Sequence, residues 1–237
     1  MSTKLPLVFG SPEVAATVDS ATLPALLPIF PLAAPLLLPG TVVPLVASEE
    51  RYRNLLDDAM LADGYVGVLQ PMAEEWEAEV GLPGEGPALY YVGCLGRIGE
   101  CREEEDRYVA LVQGVIRFRV REELSGVRGY RRMAVDYGEF LEDPEAVEQE
   151  LDFSELKEVV RQRIEWNGSE LDLGIMDDMV GTEIVTALAH ALPFSSAERQ
   201  ALVETPSLQE LQPLLLHLMA MGPGGMLGFD LPPMLPS

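Results

Sequence analysis

The side chains that most often carry chemistry are scarce in this chain. It has two cysteines, two histidines and two lysines among 237 residues. Cys94 and Cys101 are separated by six residues, and His190 and His217 lie far away in helical patterns. A structural zinc site needs two further ligands at close spacing, and a disulfide framework needs more cysteines. Reduced thiols are expected, with no metal and no cofactor. Lys4 and Lys157 are poor general bases, because Glu155 and Glu158 beside Lys157 hold its ammonium protonated. No G-x-x-x-x-G-K-[ST] loop is present to cradle phosphates. Ser195 and Ser196 read as helix caps rather than nucleophiles, since neither histidine sits in a serine or cysteine arrangement. No catalytic residue is assigned.

Two groups of residues suit binding instead. Met72, Trp76 and Leu82 fall in Gln70 to Pro87, a long acidic stretch holding Glu74, Glu75, Glu77 and Glu79 and ending "GLPGEGP". Unstructured loops longer than about 12–15 residues are uncommon and often functional. The three apolar residues either form a gripping surface with a polar rim of glutamates, or Trp76 folds back onto the sheet while the glutamates solvate the loop. The second group is Arg117, Arg119 and Arg121 in "VIRFRVREEL", which alternate with Ile116, Phe118 and Val120. Nine of the fourteen arginines lie between Arg97 and Arg132, against seven acidic residues there. The whole chain carries a net charge of −23. Such a field repels phosphate, so general binding to nucleic acid or an anionic membrane is not expected.

These groups need a scaffold, and 48% hydrophobic residues can build one. Residues 1–22 read as a loose arm. The run "LPALLPIFPLAAPLLLPGTVVPLV" is broken by six prolines, which excludes a buried helix and leaves extended segments. Pro39-Gly40 predicts a turn, Val42 to Val46 a strand, and Ser48 a cap opening a helix. Along that helix Tyr52, Leu55, Leu56 and Ala59 share one face. Further strands are expected at Gly64 to Leu69, Ala88 to Ile98, Tyr108 to Gln113, along "VIRFRVREEL", and near Tyr130 to Tyr137, with an acidic turn at "GECREEED". After Asp143-Pro144 the period becomes helical. One helix is marked by Phe153, Leu156, Val159, Val160 and Ile164, and the next by Met176, Met179, Val180, Ile184 and Leu188. Ser195-x-x-Glu198 and Ser207-x-x-Glu210 both have capping-box spacing. The last helix carries Leu208, Leu211, Leu215 and Leu218, and residues 220–237 form a Gly/Pro/Met tail. No run of about 18 apolar residues and no signal peptide is seen, so a cytoplasmic protein is expected.

Four blocks in order carry a resemblance. "LPIFPLAAPLLLPGTVVPLVASEERYRNLL" resembles the N-terminal domain of Lon-type ATP-dependent proteases, with its P-[IL]-F-P-L at Pro28 to Leu32 and its L-x-P-G at Leu38 to Gly40. The x-x-L-P-L and E-x-R-Y patterns fall on Val43 to Val46 and Glu50 to Tyr52. "VGCLGRI" at Val92 to Ile98, "RYVALVQGVIRFRV" at Arg107 to Val120 and "LPFSSAERQALVE" at Leu192 to Glu204 are similar to the family's later elements. One departure is Ala47-Ser48, where the family often has an aromatic or aliphatic pair.

The resemblance implies an α+β fold: an N-terminal PUA-like small β-barrel with an inserted helix over residues 23–140, then a C-terminal helical bundle over 141–219. It also implies a non-catalytic, substrate-binding role, with partners that are unfolded or partly folded proteins and a protease to which they are handed. The ATPase and Ser-Lys peptidase modules of full Lon proteases are not expected in this chain, which reads as a free-standing substrate-binding domain. The alternative is RNA binding, as in other PUA-like proteins, through the arginine stripe; pairing of those arginines with nearby acids competes with it.

Overall fold

The computed structural model describes residues 23–73, 86–149, 151–167 and 179–221, with side chains left aside at 162–167 and 221. The fold is α+β, one mixed sheet plus helices. Six strands are ordered β2-β5-β4-β3-β1-β6, where β1 is Leu26–Pro31, β2 Val42–Ala47, β3 Tyr65–Leu69, β4 Val92–Glu104, β5 Arg107–Val127 and β6 Tyr130–Asp136. β6 also pairs with β5, so the hydrogen-bonded order returns to a strand already in it. Only β1 and β3 run parallel. β5 makes the return along its 21 residues, since besides β4 it pairs with β2 through Tyr108 to Gln113 and with β6 through Arg119 to Val127. Register shifts at Val120/Glu122 and Leu124/Val127 bend it on the way, since a bulge raises local twist.

The proline-rich opening resolves into separate jobs. β2 bonds to β5 alone, so Pro44, opposite Leu111, sits in an edge strand where a missing N–H is tolerated. Pro39 and Gly40 form the expected turn, with Gly40 at φ +84°, a conformation glycine adopts without a steric cost. Thr41 closes it: its N–H and its hydroxyl both donate to the Leu38 carbonyl, at 3.0 and 2.8 Å.

Helix α1, Glu50–Leu61, buries Tyr52, Leu55, Leu56 and Ala59, the face its spacing predicts. Its N-cap is Glu49, not Ser48, and no side chain caps it; Glu49 pairs with Arg51 at 2.7 Å instead. The expected acidic turn is also corrected. β4 continues through "GECREE" to Glu104 and only Glu105 and Asp106 turn, with Glu105 at φ +54°. Charged residues can line a strand when both faces meet water, so their density misleads as a loop signal. Likewise the segments at Tyr108 and "VIRFRVREEL" form one strand.

Among the described residues five helices follow: α2 Asp143–Glu148, α3 Ser154–Asn167, α4 Glu183–Ala191, α5 Ser196–Val203 and α6 Leu211–Met221. α4 is buried from Glu183 through Ala189, which places it inside the assembly. It begins at Glu183, later than the apolar spacing predicts, and Met176 lies outside the described residues. The Ser195/Glu198 capping box is made in both directions. The Ser207/Glu210 box is not: Ser207 accepts no side-chain bond, and a 3-10 turn, Leu208–Glu210, precedes α6.

One apolar cluster runs from Leu27, Ile29, Ile116 and Phe118 in the sheet to Leu156, Leu188, Leu202 and Leu215 in the helices. A smaller cluster joins α1 to the sheet through Leu45, Leu55, Leu56 and Val112. Among the described residues no helix is long and apolar enough to cross a membrane.

Gly114 fixes where the loop before β2 crosses β5. Its N–H donates to the Thr41 carbonyl at 2.8 Å, and a Cβ there would lie 2.1 Å from the Leu38 carbonyl oxygen. The obstacle is backbone, which cannot rotate aside. Gly114→Ala is therefore expected to lower unfolding free energy by about 1–3 kcal/mol, measured by urea denaturation.

Candidate functional site

The arginine stripe does not form an outward face. Arg117 and Phe118 are both fully buried, so the middle of β5 is covered on both sides. Arg117 donates from Nε and Nη2 to the two carboxylate oxygens of Asp143, at 2.9 and 2.7 Å. Its backbone N–H donates to the same carboxylate at 3.1 Å. Nη1 donates to the carbonyls of Val203 and Thr205 and to the Thr205 hydroxyl. The guanidinium also lies 4.5 Å from the centre of the Phe140 ring. Every guanidinium nitrogen is engaged within the protein. Arg119 is paired bidentately with Glu139 at 2.7 and 2.8 Å, and Arg121 with Asp136 at 2.8 Å. Hydrogen bonds from these arginines hold the Glu139 and Asp136 carboxyls below their ordinary range. The stripe offers little to phosphate, and RNA binding through it is not favoured.

The apolar group is split. Met72 follows β3 and is 42% exposed; Trp76 and Leu82 lie outside the described residues. The Met72 carbonyl accepts from the Ser196 hydroxyl at 3.0 Å, so Ser196 ties the start of this segment to α5.

A groove that sequence reasoning missed lies elsewhere, between the end of α1 and strands β1 and β6. It has a volume of about 180 Å³. Leu27, Pro28, Ala59 and Ala62 give it an apolar lining, with Asp63 and Arg132 among the polar residues. For scale, an apolar cavity of about 150 Å³ accepts benzene. Leu26, which also lines it, is 40% exposed. Met60 and Leu61, on the last turn of α1, are 44% and 87% exposed. Asp58 helps set the walls, accepting from the Tyr130 hydroxyl at 2.8 Å and pairing with Arg128. The exposed apolar residues at the end of α1 are visible in sequence, but β1 and β6 join them only in three dimensions.

Cys94 is a buried free thiol and Cys101 a half-buried one. Burial raises the Cys94 thiol far above its ordinary range, which keeps it unreactive. Lys157 Nζ donates to the Met179 carbonyl at 2.7 Å. His190 and His217 are exposed on α4 and α6.

This architecture is shared by solved Lon N-terminal domains. The chain is similar to a Lon N-terminal domain protein from Xanthomonas campestris, with a TM-score of 0.54 and 24% identity over 84% of this chain and 99% of that one. It is also similar to the N-terminal domain of Mycobacterium avium complex Lon protease, with a TM-score of 0.53 and 16% identity over 83% of this chain and 99% of that one. The sequence profile of the ATP-dependent protease La (LON) substrate-binding domain matches residues 26–221, and the chain belongs to this family. Among its relatives, Lon protease 2 of Myxococcus xanthus is 31% identical over 216 residues, and Lon protease of Anaeromyxobacter dehalogenans is 29% identical over the same length. Each match takes in 85% of this chain and 24% of the relative, so the chain spans about a quarter of those proteins.

Removing one member of a buried ion pair leaves the other charged and desolvated, at a cost of about 3–5 kcal/mol. Asp143→Ala is expected to lower unfolding free energy by that amount, whereas Arg119→Ala leaves the urea midpoint near that of the parent. A second prediction concerns alkali. Burial, then the hydrogen bond to Asp58, pushes Tyr130 up to about 12, and burial pushes Tyr52 up to about 12 as well. The unfolded chain loses these protons first, near pH 10. Stability is therefore full below pH of about 10 and falls as pH rises toward about 12, followed by denaturation midpoints across that range.

Proposed function

We propose that this chain is a non-catalytic module that binds exposed apolar segments of unfolded or partly folded proteins. The groove between α1, β1 and β6 receives an apolar side chain, and Leu26, Met60 and Leu61 extend the contact across the neighbouring surface. The observation that carries this reading is the pairing of an apolar cleft of about 180 Å³ with three large exposed apolar residues beside it. Large apolar residues grouped in this way mark interaction sites more often than singly scattered ones do. Membership of a family described as a substrate-binding domain supports the same role.

In this reading the returning strand order is a PUA-like barrel spanning 23–140, and the helices of 141–219 are a bundle docked on it. The module works in the cytoplasm and presents its clients to ATP-dependent proteolysis. Exposed Met72 favours a second contact surface, made with Trp76 and Leu82 on the segment that Ser196 anchors.

The test is fluorescence anisotropy with a labelled, permanently unfolded protein. Leu26→Glu and Leu61→Glu place charge at the groove and are expected to weaken binding at least about tenfold, or roughly 1.4 kcal/mol. Unchanged affinity in both, with loss in Met72→Glu, would move the site to the second surface. Unchanged affinity in all three would sink the binding role of both surfaces.

A further inference from the structure

A small space lies where β3 and β4 meet α5. It has a volume of about 10 Å³ and is lined by Leu36, Leu37, Val92 and Val203, together with Gln70 and Gln200. These glutamines are only 5% and 3% exposed. Their amide nitrogens are satisfied: Gln70 donates to the Ala33 carbonyl at 3.3 Å, and Gln200 to the Val92 carbonyl at 3.0 Å and to Glu204 at 2.7 Å. Those donor bonds fix which end of each amide is oxygen. Both oxygens remain, Gln70 Oε1 and Gln200 Oε1, buried and with no protein donor. An unmet buried acceptor keeps its desolvation cost, so two of them on residues lining the same small space call for a shared donor.

We propose that this space is a binding site for one ordered water, which donates one hydrogen to Gln70 Oε1 and the other to Gln200 Oε1. The chemistry and the size agree. Water has two donor hydrogens for two acceptors, and about 10 Å³ is near the minimum a single water needs. A peptide group or an organic ligand is too large, and a metal ion would want more than two neutral oxygens.

The water's place gives it a task. Gln70 is the residue after β3, and its carbonyl accepts from the Tyr90 N–H at 3.0 Å, while the Met72 N–H donates to the Ala88 carbonyl at 2.8 Å. Residues 70–72 and 88–90 are thus the two roots of the intervening segment. The water ties the first root to α5 beside the direct bond from Ser196 to Met72. The helices thereby hold this segment through two polar links, one of them solvent-borne. This inference stands on the glutamines alone and does not depend on what the groove binds.

The experiment has two arms on the full chain. Oxygen-17 relaxation dispersion counts long-lived internal waters in solution, and Gln70→Met and Gln200→Met each remove one acceptor while keeping an unbranched side chain of similar length. Each variant is expected to show one long-lived water fewer than the parent, and faster amide exchange at Met72 and Tyr90. The same count in both variants would overturn the proposal. A high-resolution crystal structure of the parent guards against variants that fail to fold. Density within hydrogen-bonding distance of both Oε1 atoms supports the site, and glutamine oxygens bonded to protein donors instead would overturn it.

Discussion

The contact on which the rest of the molecule depends is the buried pair of Arg117 and Asp143. Arg117 stands in the middle of β5, the strand that pairs with β2, β4 and β6. Asp143 opens α2, and the carbonyls of Val203 and Thr205 lie at the end of α5 and just beyond it. One guanidinium therefore joins the central strand to two separate points of the helical part. A planar group with five donors suits this task, because it can bridge a carboxylate bidentately and still reach two carbonyls. Hydrophobic residues of similar shape could fill the same space, so the pair does not simply add stability. What it adds is direction: a helix docked one turn out of place would leave a charge buried and unpaired.

Other links between sheet and helices are arranged around it. The Thr182 hydroxyl donates to the Pro39 carbonyl, and Val147 packs against Gly40, so α2 and the residue before α4 both meet the Leu38–Thr41 turn. Gln200 reaches the Val92 carbonyl, and Ser196 reaches Met72. In three of these links a side chain donates to a backbone carbonyl. The apolar cluster that runs through both parts supplies nondirectional attraction, while the polar links set the register of the docking. The outer arginines differ in kind. Arg119 and Arg121 pair with acids in water-exposed positions, where screening and side-chain entropy absorb most of the attraction.

The groove and Met72 lie at the margins of this core. The groove beside α1 lies away from the Arg117 contact and is built by the end of a helix and two strands. Residues 70–72 and 88–90, at the ends of β3 and β4, are joined to each other by backbone hydrogen bonds. Both surfaces can change residue by residue without disturbing the docking of sheet and helices. The chain spans about a quarter of the length of the Lon proteases it is similar to.

The sequence by itself determined the family, the order of strands and helices, and the local pieces whose cause is local. The Pro39-Gly40 turn, the Tyr52/Leu55/Leu56/Ala59 face and the Ser195 capping box each depend on residues within a few positions of one another, so spacing reveals them. Only the tertiary structure decided what depends on distant partners. Alternation put Arg117 in one row with Arg119 and Arg121, yet bonds to Asp143 and Thr205, far along the chain, hold it fully buried. Ser48 and Ser207 had the right residue type for caps, but packing started α1 one residue later and turned Leu208–Glu210 into a 3-10 turn. The groove at Leu26 and Asp63 and the unpartnered oxygens of Gln70 and Gln200 left no pattern in the chain. The physical reason is the same in each case: a period reports which face a residue occupies, and only the folded chain fixes what that face meets.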